Sequence, residues 1–169
     1  MDIRHPTLED AFVEDHRKMT MGFFRLRQSL EAADWTATRQ LAADIDRDAG
    51  PHIEFEETIY YPRLKPLIGA GNVRRMYEEH RIGLGLIRDI LARGDEAPDE
   101  TARYCLADQC RQMLDHAQSC GTLISHLSAL PPAEQRDLLG ELEAIRELGV
   151  RWTEFASRKQ PGHRETRTP

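Results

Sequence analysis

Apolar residues recur three and four positions apart along this chain, with almost no alternating stretch, and the pattern predicts helices throughout. The first, about 7–32, opens on Thr7-Leu8-Glu9-Asp10, which resembles a capping box, and places Phe12, His16, Met19, Phe23, Leu26 and Leu30 on one stripe. The second starts after Asp34, carries Leu41, Ile45, His52, Glu56 and Ile59 on one face, and stops at Pro66, Gly69 and Gly71. Pro51 lacks a backbone donor and crowds the Arg47 carbonyl, which predicts a kink just before His52. Asn72 is the predicted cap of the third, whose inward positions Val73, Met76, His80, Ile87 and Leu91 end at Gly94. The fourth follows Pro98-Asp99, with Cys105, Gln109, Met113, His116, Cys120, Leu123, Leu127 and Leu130 inward until Pro131-Pro132. A fifth, about 133–157, lines up Leu138, Leu142, Ile145, Leu148, Trp152 and Phe155, a stripe able to dock on a bundle or on a second subunit. Residues 160–169 are polar, basic and proline-bounded and read as a frayed tail.

Shifted by 64 residues, the chain lies over itself without a gap: Asp15-His16-Arg17 on Glu79-His80-Arg81, Arg39 on Arg103, Arg47 on Arg111, His52 on His116 and Thr58 on Thr122. Such a repeat is a duplicated helical hairpin, about 7–68 and 72–130. Short connections favour an all-α, up-down-up-down four-helix bundle with an additional C-terminal helix, the whole forming one unit over 1–159.

The repeat places the histidines. His16 and His52 are 36 residues apart, as are His80 and His116, and the midpoints, Asp34 and Pro98, fall in the predicted loops. Two residues equidistant from the turn of an antiparallel hairpin lie at one height, because each helix advances about 1.5 Å per residue. Four inward imidazoles therefore share one layer, and with nothing to ligate they form an expensive core. Glu56 follows His52 by one helical turn and projects into the same space. A metal compensates such a buried carboxylate, whose two oxygens can bridge two ions, and imidazole with carboxylate suits iron, manganese or zinc.

Asp15-His16-Arg17, His52 to Glu56-Glu57 running into Tyr60-Tyr61-Pro62-Arg63-Leu64, Glu79-His80-Arg81, and Leu114-Asp115-His116 resemble, in order, the four signatures of the hemerythrin-like HHE cation-binding domains, over roughly residues 7–130. The resemblance implies a bundle around a non-haem, usually binuclear iron centre that binds oxygen, senses oxygen, nitric oxide or iron, or assists iron handling. It implies His16, His52, Glu56, His80 and His116 as ligands. The fourth signature departs from the family, with Cys120 and Gly121 where carboxylates are expected, and Leu84 replaces the additional histidine of the oxygen carriers. Three readings of Cys120 stay open: a thiolate ligand, a redox-active thiol beside the metal, or a small apolar filler. Tyr60 and Tyr61 are candidates for aromatic packing or for a hydrogen bond to the carboxylate or a bound ligand. Glu57, Asp15 and Glu79 are candidates to orient the ligands.

Composition narrows the partners. The formal charge is −6 with no basic run before the C-terminal tail, which argues against nucleic acid and anionic membranes. No apolar stretch is long enough to span a bilayer and the first residues lack the apolar core of a secretory signal, so a cytoplasmic protein is expected. Cys105, Cys110 and Cys120 form no disulfide framework and suit a reducing compartment. Cys105 lies too far along the helix from His116 to share its ion and reads as core, His126 as peripheral, and His5 and His163 as solvated. The leading expectation is a protein binding or sensing O2, NO or peroxide at iron. The alternatives are an iron or redox enzyme using Cys120, through peroxide turnover, iron oxidation or iron delivery, and a metal-poor interaction module that dimerises or meets a protein partner through the fifth helix.

Overall fold

The structure, a computed structural model, describes residues 6–159. Helix α1 (Leu8–Glu31) begins with a reciprocal cap: the Thr7 hydroxyl accepts from the Asp10 N–H and the Asp10 carboxylate accepts from the Thr7 N–H. Asp34 caps α2 (Trp35–Phe55) through the Ala37 N–H. This helix continues through a π-helical turn, Glu56–Tyr60, into α3 (Tyr61–Ile68), where Gly69 at φ 89° ends it. Helix α4 (Ala70–Ala92) and helix α5 (Glu100–Gly121), the latter capped by Asp99, form the second hairpin. Three shorter helices follow: α6 (Ile124–Ser128), α7 (Pro132–Leu148) and α8 (Trp152–Arg158).

The described residues are all-α. Helix α1 packs against α2 and α5, and α4 closes the ring by packing on both of those, giving an up-down-up-down four-helix bundle with further C-terminal helices. The apolar interior divides in two. One cluster, containing Phe23, Leu26, Ile53, Leu86, Met113 and Trp152, fills the end of the bundle near the two hairpin loops. The other, containing Phe12, Phe55, Tyr60, Met76, Cys120 and Leu142, fills the opposite end.

Pro51 lies inside α2, one residue before His52. Several local expectations are corrected. Asn72 is not a cap: it sits in the first turn of α4, and its side-chain amide donates to the Ile68 carbonyl, satisfying the end of α3 instead. The fourth helix stops at Gly121, short of Leu130; Leu123 ends up in the turn, and its carbonyl accepts from the Tyr60 hydroxyl at 2.6 Å. Cys105 is exposed, because the inward positions at its height are Leu106 and Cys110.

The expected fifth helix is two. Gly149 adopts the left-handed conformation at φ 59°, returns its N–H to the Ile145 and Arg146 carbonyls, and stops α7. Leu138 and Leu142 then pack into one apolar cluster while Trp152 and Phe155 pack into the other. This apolar surface is therefore largely spent within the chain, although Leu148 remains 72% exposed. Buried Asp46 on α2 accepts from the Thr153 N–H and hydroxyl at 2.8 and 3.0 Å, supplying α8 with a cap from a distant part of the chain. Gly50 makes the docking possible, since a Cβ there would stand 2.1 Å from the Val150 carbonyl oxygen.

Candidate metal centre

On each bundle helix the histidine lies where one apolar cluster gives way to the other: His16 between Phe12 and Phe23, His52 between Ala49 and Phe55, His80 between Met76 and Leu86, His116 between Met113 and Cys120. The layer predicted from the 64-residue repeat thus exists as a polar plate inside an apolar bundle. Rings of His16 and His52 stand 4.5 Å apart, and those of His80 and His116 4.7 Å apart, both pairs edge to face.

Glu56 occupies the middle, fully buried. Its Oε1 lies 3.2 Å from His52 Nε2 and 3.7 Å from His16 Nε2, and its Oε2 lies 3.2 Å from His80 Nε2. The Cys120 thiol donates to Oε1 at 2.9 Å and the Tyr61 hydroxyl donates to Oε2 at 3.1 Å. Two groups each bring three ligand atoms within 4.8 Å of one another: His16, Glu56 and Cys120, and Glu56, His80 and His116. The π-helical turn begins at Glu56, and the Tyr61 ring comes to stack obliquely on His80 at 5.3 Å.

On the outer side of the plate, Nδ1 of each of its four histidines is engaged. His52 meets the Asp15 carboxylate at 3.2 Å, His80 meets Glu57 at 2.9 Å, His116 meets Glu79 at 2.7 Å, and His16 donates to the Phe12 carbonyl at 3.0 Å. Acceptors at Nδ1 keep a proton there, so a neutral ring presents the Nε2 lone pair to the centre. Arg146 donates to Asp15 at 2.6 Å and Lys159 to Glu57 at 2.7 Å, tying the carboxylates to α7 and to the end of α8.

Residues 7–120 match the family model of the hemerythrin HHE cation binding domain. The chain belongs to that family. A curated relative of the HHE domain, a DNA nickase of Nostoc sp. (strain PCC 7120 / SAG 25.82 / UTEX 2576), is 28% identical over 114 residues, 68% of this chain and 30% of that protein, so the chain spans under a third of the relative's length. No solved structure matches.

The donor set of this HHE domain fits a cation. His52 Nε2 is buried, and although it is near Glu56 it is not aligned for a hydrogen bond and has no partner among the described residues, the condition a ligand relieves. The charges tell the same story. Burial works against the His52 imidazolium, but Glu56 and Asp15 outweigh it and raise its pKa to about 9. At His80 burial is likewise overcome, by hydrogen bonds to Glu56 and Glu57, and the pKa rises. Burial and the neighbouring His52 charge push His16 down to about 4, and burial with His80 lowers His116. Glu56, despite burial, is held well below the usual carboxylate range by His52, His80 and His16. The raised pKa values of His52 and His80 favour positive charge beside the one buried carboxylate, the place where a metal would supply it. Burial and Glu56 push the Cys120 thiol well above its ordinary pKa, so without a cation it is a neutral donor.

All six predicted ligand candidates are brought together. Of the tyrosines, Tyr61 reaches the carboxylate, while Tyr60 packs on Phe12 and donates to Leu123. Glu57, Asp15 and Glu79 each reach a histidine, the last two across the hairpin rather than their own neighbour. The interval from Asp15 to His52 equals that from Glu79 to His116, 37 residues, so the height argument that levels the histidines also points to these pairs. Arg146, Lys159 and the Phe12 carbonyl carried no such signal. His126 is only half-buried, and His5, His163 and the 160–169 tail lie outside the described residues. Among the described residues no helix is long and apolar enough to cross a membrane.

Proposed function

We propose that this chain holds non-haem iron in the plate, as a pair of ions sharing Glu56, and binds or senses O2, NO or peroxide there. The observation that carries the reading is that one fully buried carboxylate faces the histidines of both hairpins through its two oxygens. His16, His52 and Cys120 would serve one ion, His80 and His116 the other, and Glu56 both. A bound iron supplies redox and Lewis-acid chemistry. The chain's own residues do the rest: Asp15, Glu57 and Glu79 fix ring tautomers, Tyr61 offers a hydroxyl beside the carboxylate, and the two apolar clusters exclude water. Cytoplasmic location belongs to the same reading.

Cys120 supports a second reading, a redox enzyme turning over peroxide or handling iron, because its sulfur stands 2.9 Å from Glu56, inside the plate. The activity named for the Nostoc relative belongs to a protein more than three times as long as the shared segment, and the proposal for this chain is confined to the helical domain.

Elemental analysis of protein purified without air, metal-affinity resin or chelator tests the proposal. About two irons per chain, lost in His52→Ala and Glu56→Ala, is the expected result. Metal content and visible absorption unaffected by both substitutions would place any metal elsewhere. One metal per chain would reduce the centre to a mononuclear site.

A further inference from the structure

A groove of about 990 Å³ runs between α3, α4 and α8, and its inner end reaches Glu57 and His80. Its floor is apolar and largely aromatic, with Val73, Tyr77, Leu84, Trp152 and Phe155. Lys65, Arg74, Arg81, Arg88 and Lys159 line it as well. This is a reversal of the overall charge, since the chain carries 29 acidic against 23 basic residues. Glu57, the one carboxylate in the lining, is already engaged by His80 and Lys159.

Four of these five cations have no acidic partner among the described residues. Lys65, Arg74 and Arg81 have no ion-pair or hydrogen-bond partner among the described residues, and Arg88 donates to neutral groups alone, the Thr153 carbonyl and the Ser157 hydroxyl. Lys159 bridges floor and rim: it is paired with Glu57, with its ammonium 5.5 Å from the centre of the Tyr77 ring and 4.9 Å from that of Phe155. Unpaired guanidinium groups lining one groove favour a phosphate dianion, and the rings beneath favour a flat apolar body.

We propose that this groove binds a small aromatic phosphomonoester, its phosphate held by Arg74 and Arg81 with Lys65 and its ring laid on half-buried Tyr77 and Leu84, above buried Trp152 and Phe155. The groove has the size of a small-molecule site. A long polyanion would meet the repulsion of the acidic remainder of the chain, and residues 160–169, which continue from Lys159, carry Arg164 and Arg167 against the single acid Glu165, so charge does not favour them as the occupant. The proposal is independent of which metal, if any, occupies the plate.

Calorimetric titration of the full chain with 1-naphthyl phosphate tests it, with 1-naphthol and inorganic phosphate as the separate halves. One naphthyl phosphate per chain, bound about tenfold or more tightly than either half, is expected. The double substitution Arg74→Glu/Arg81→Glu should weaken binding about tenfold or more with circular dichroism and melting unchanged, whereas Arg25→Glu/Arg136→Glu, the same change of net charge elsewhere, should not. Equal weakening by both pairs, or inorganic phosphate binding as tightly as the ester, would overturn the assignment. Tighter retention of a single-stranded oligonucleotide, lost in Arg74→Glu/Arg81→Glu, would replace the small ligand by a nucleic acid and overturn it as well.

Discussion

Glu57 holds Nδ1 of His80 at 2.9 Å, and the position one repeat later, which would hold Nδ1 of His16, is Gly121. The Phe12 carbonyl takes that role at 3.0 Å. The two halves of the plate therefore differ twice at adjacent positions: Glu56 and Glu57 in the first hairpin answer to Cys120 and Gly121 in the second. A carboxylate acceptor makes its imidazole more basic than a neutral carbonyl does, so the His16 side is the weaker donor. A side chain at 121 has room, because a Cβ there meets nothing within 4 Å.

Removing the outer carboxylates should weaken metal binding without dismantling the fold. Asp15→Asn and Glu79→Gln keep the shape but lose the charge beside His52 and His116. Each is expected to lower metal affinity about 10- to 100-fold, measured by competition with a chelator of known affinity. Unchanged affinity in both would mean that the histidines need no orientation from outside.

Thiol chemistry separates the three cysteines. Cys105 is exposed, whereas Cys110 and Cys120 are buried and burial raises both thiols. Mass spectrometry after brief treatment of the metal-free folded protein with iodoacetamide should find one adduct, on Cys105, and three only after unfolding. Rapid labelling of Cys120 would show that the plate opens in solution.

The pH dependence of metal-free stability follows from the histidines. His52 has its pKa raised from 6.5 to about 9, so its contribution is fully present below pH 6.5 and is lost as pH rises through 9. His16, lowered to about 4, acts in the other sense: as pH falls from 6.5 toward 4 the unfolded chain takes up a proton that the folded site refuses, and stability declines. The melting temperature of the chelated protein should therefore fall on both sides of a maximum near pH 6 to 7. A flat profile from pH 6.5 to 9.5 would contradict the charge assigned to His52.

Gly50→Ala should undock α8. The added carbon meets backbone, which cannot swing aside, whereas at Gly83 it meets Met113 Sδ and Trp152 Cη2, each at 2.6 Å, side-chain atoms with some freedom to move. Thermal or urea unfolding should show a loss of about 2–4 kcal/mol for Gly50→Ala and a smaller one for Gly83→Ala. An exposed Trp152, read by a red shift of its fluorescence, should accompany the first.

Helix periodicity, capping residues and a gapless 64-residue repeat were enough to predict the four-helix bundle and the height of His16, His52, His80 and His116, because these depend on rise per residue and on burial of an apolar stripe. The family followed from the same residues. Spacing within one helix could not say where a helix would end against its neighbours: the stop at Gly121, the break at Gly149 and the capping of α8 by Asp46 depend on what lies across the bundle. Nor could it place Tyr61 on Glu56, because the π-helical turn shifts the register after Phe55. Local pattern determined the elements and the level of the plate. Only tertiary packing decided that Glu57 would hold His80 and that Arg146 and Lys159 would reach in to Asp15 and Glu57, since those contacts join residues 23 to 131 positions apart in the chain.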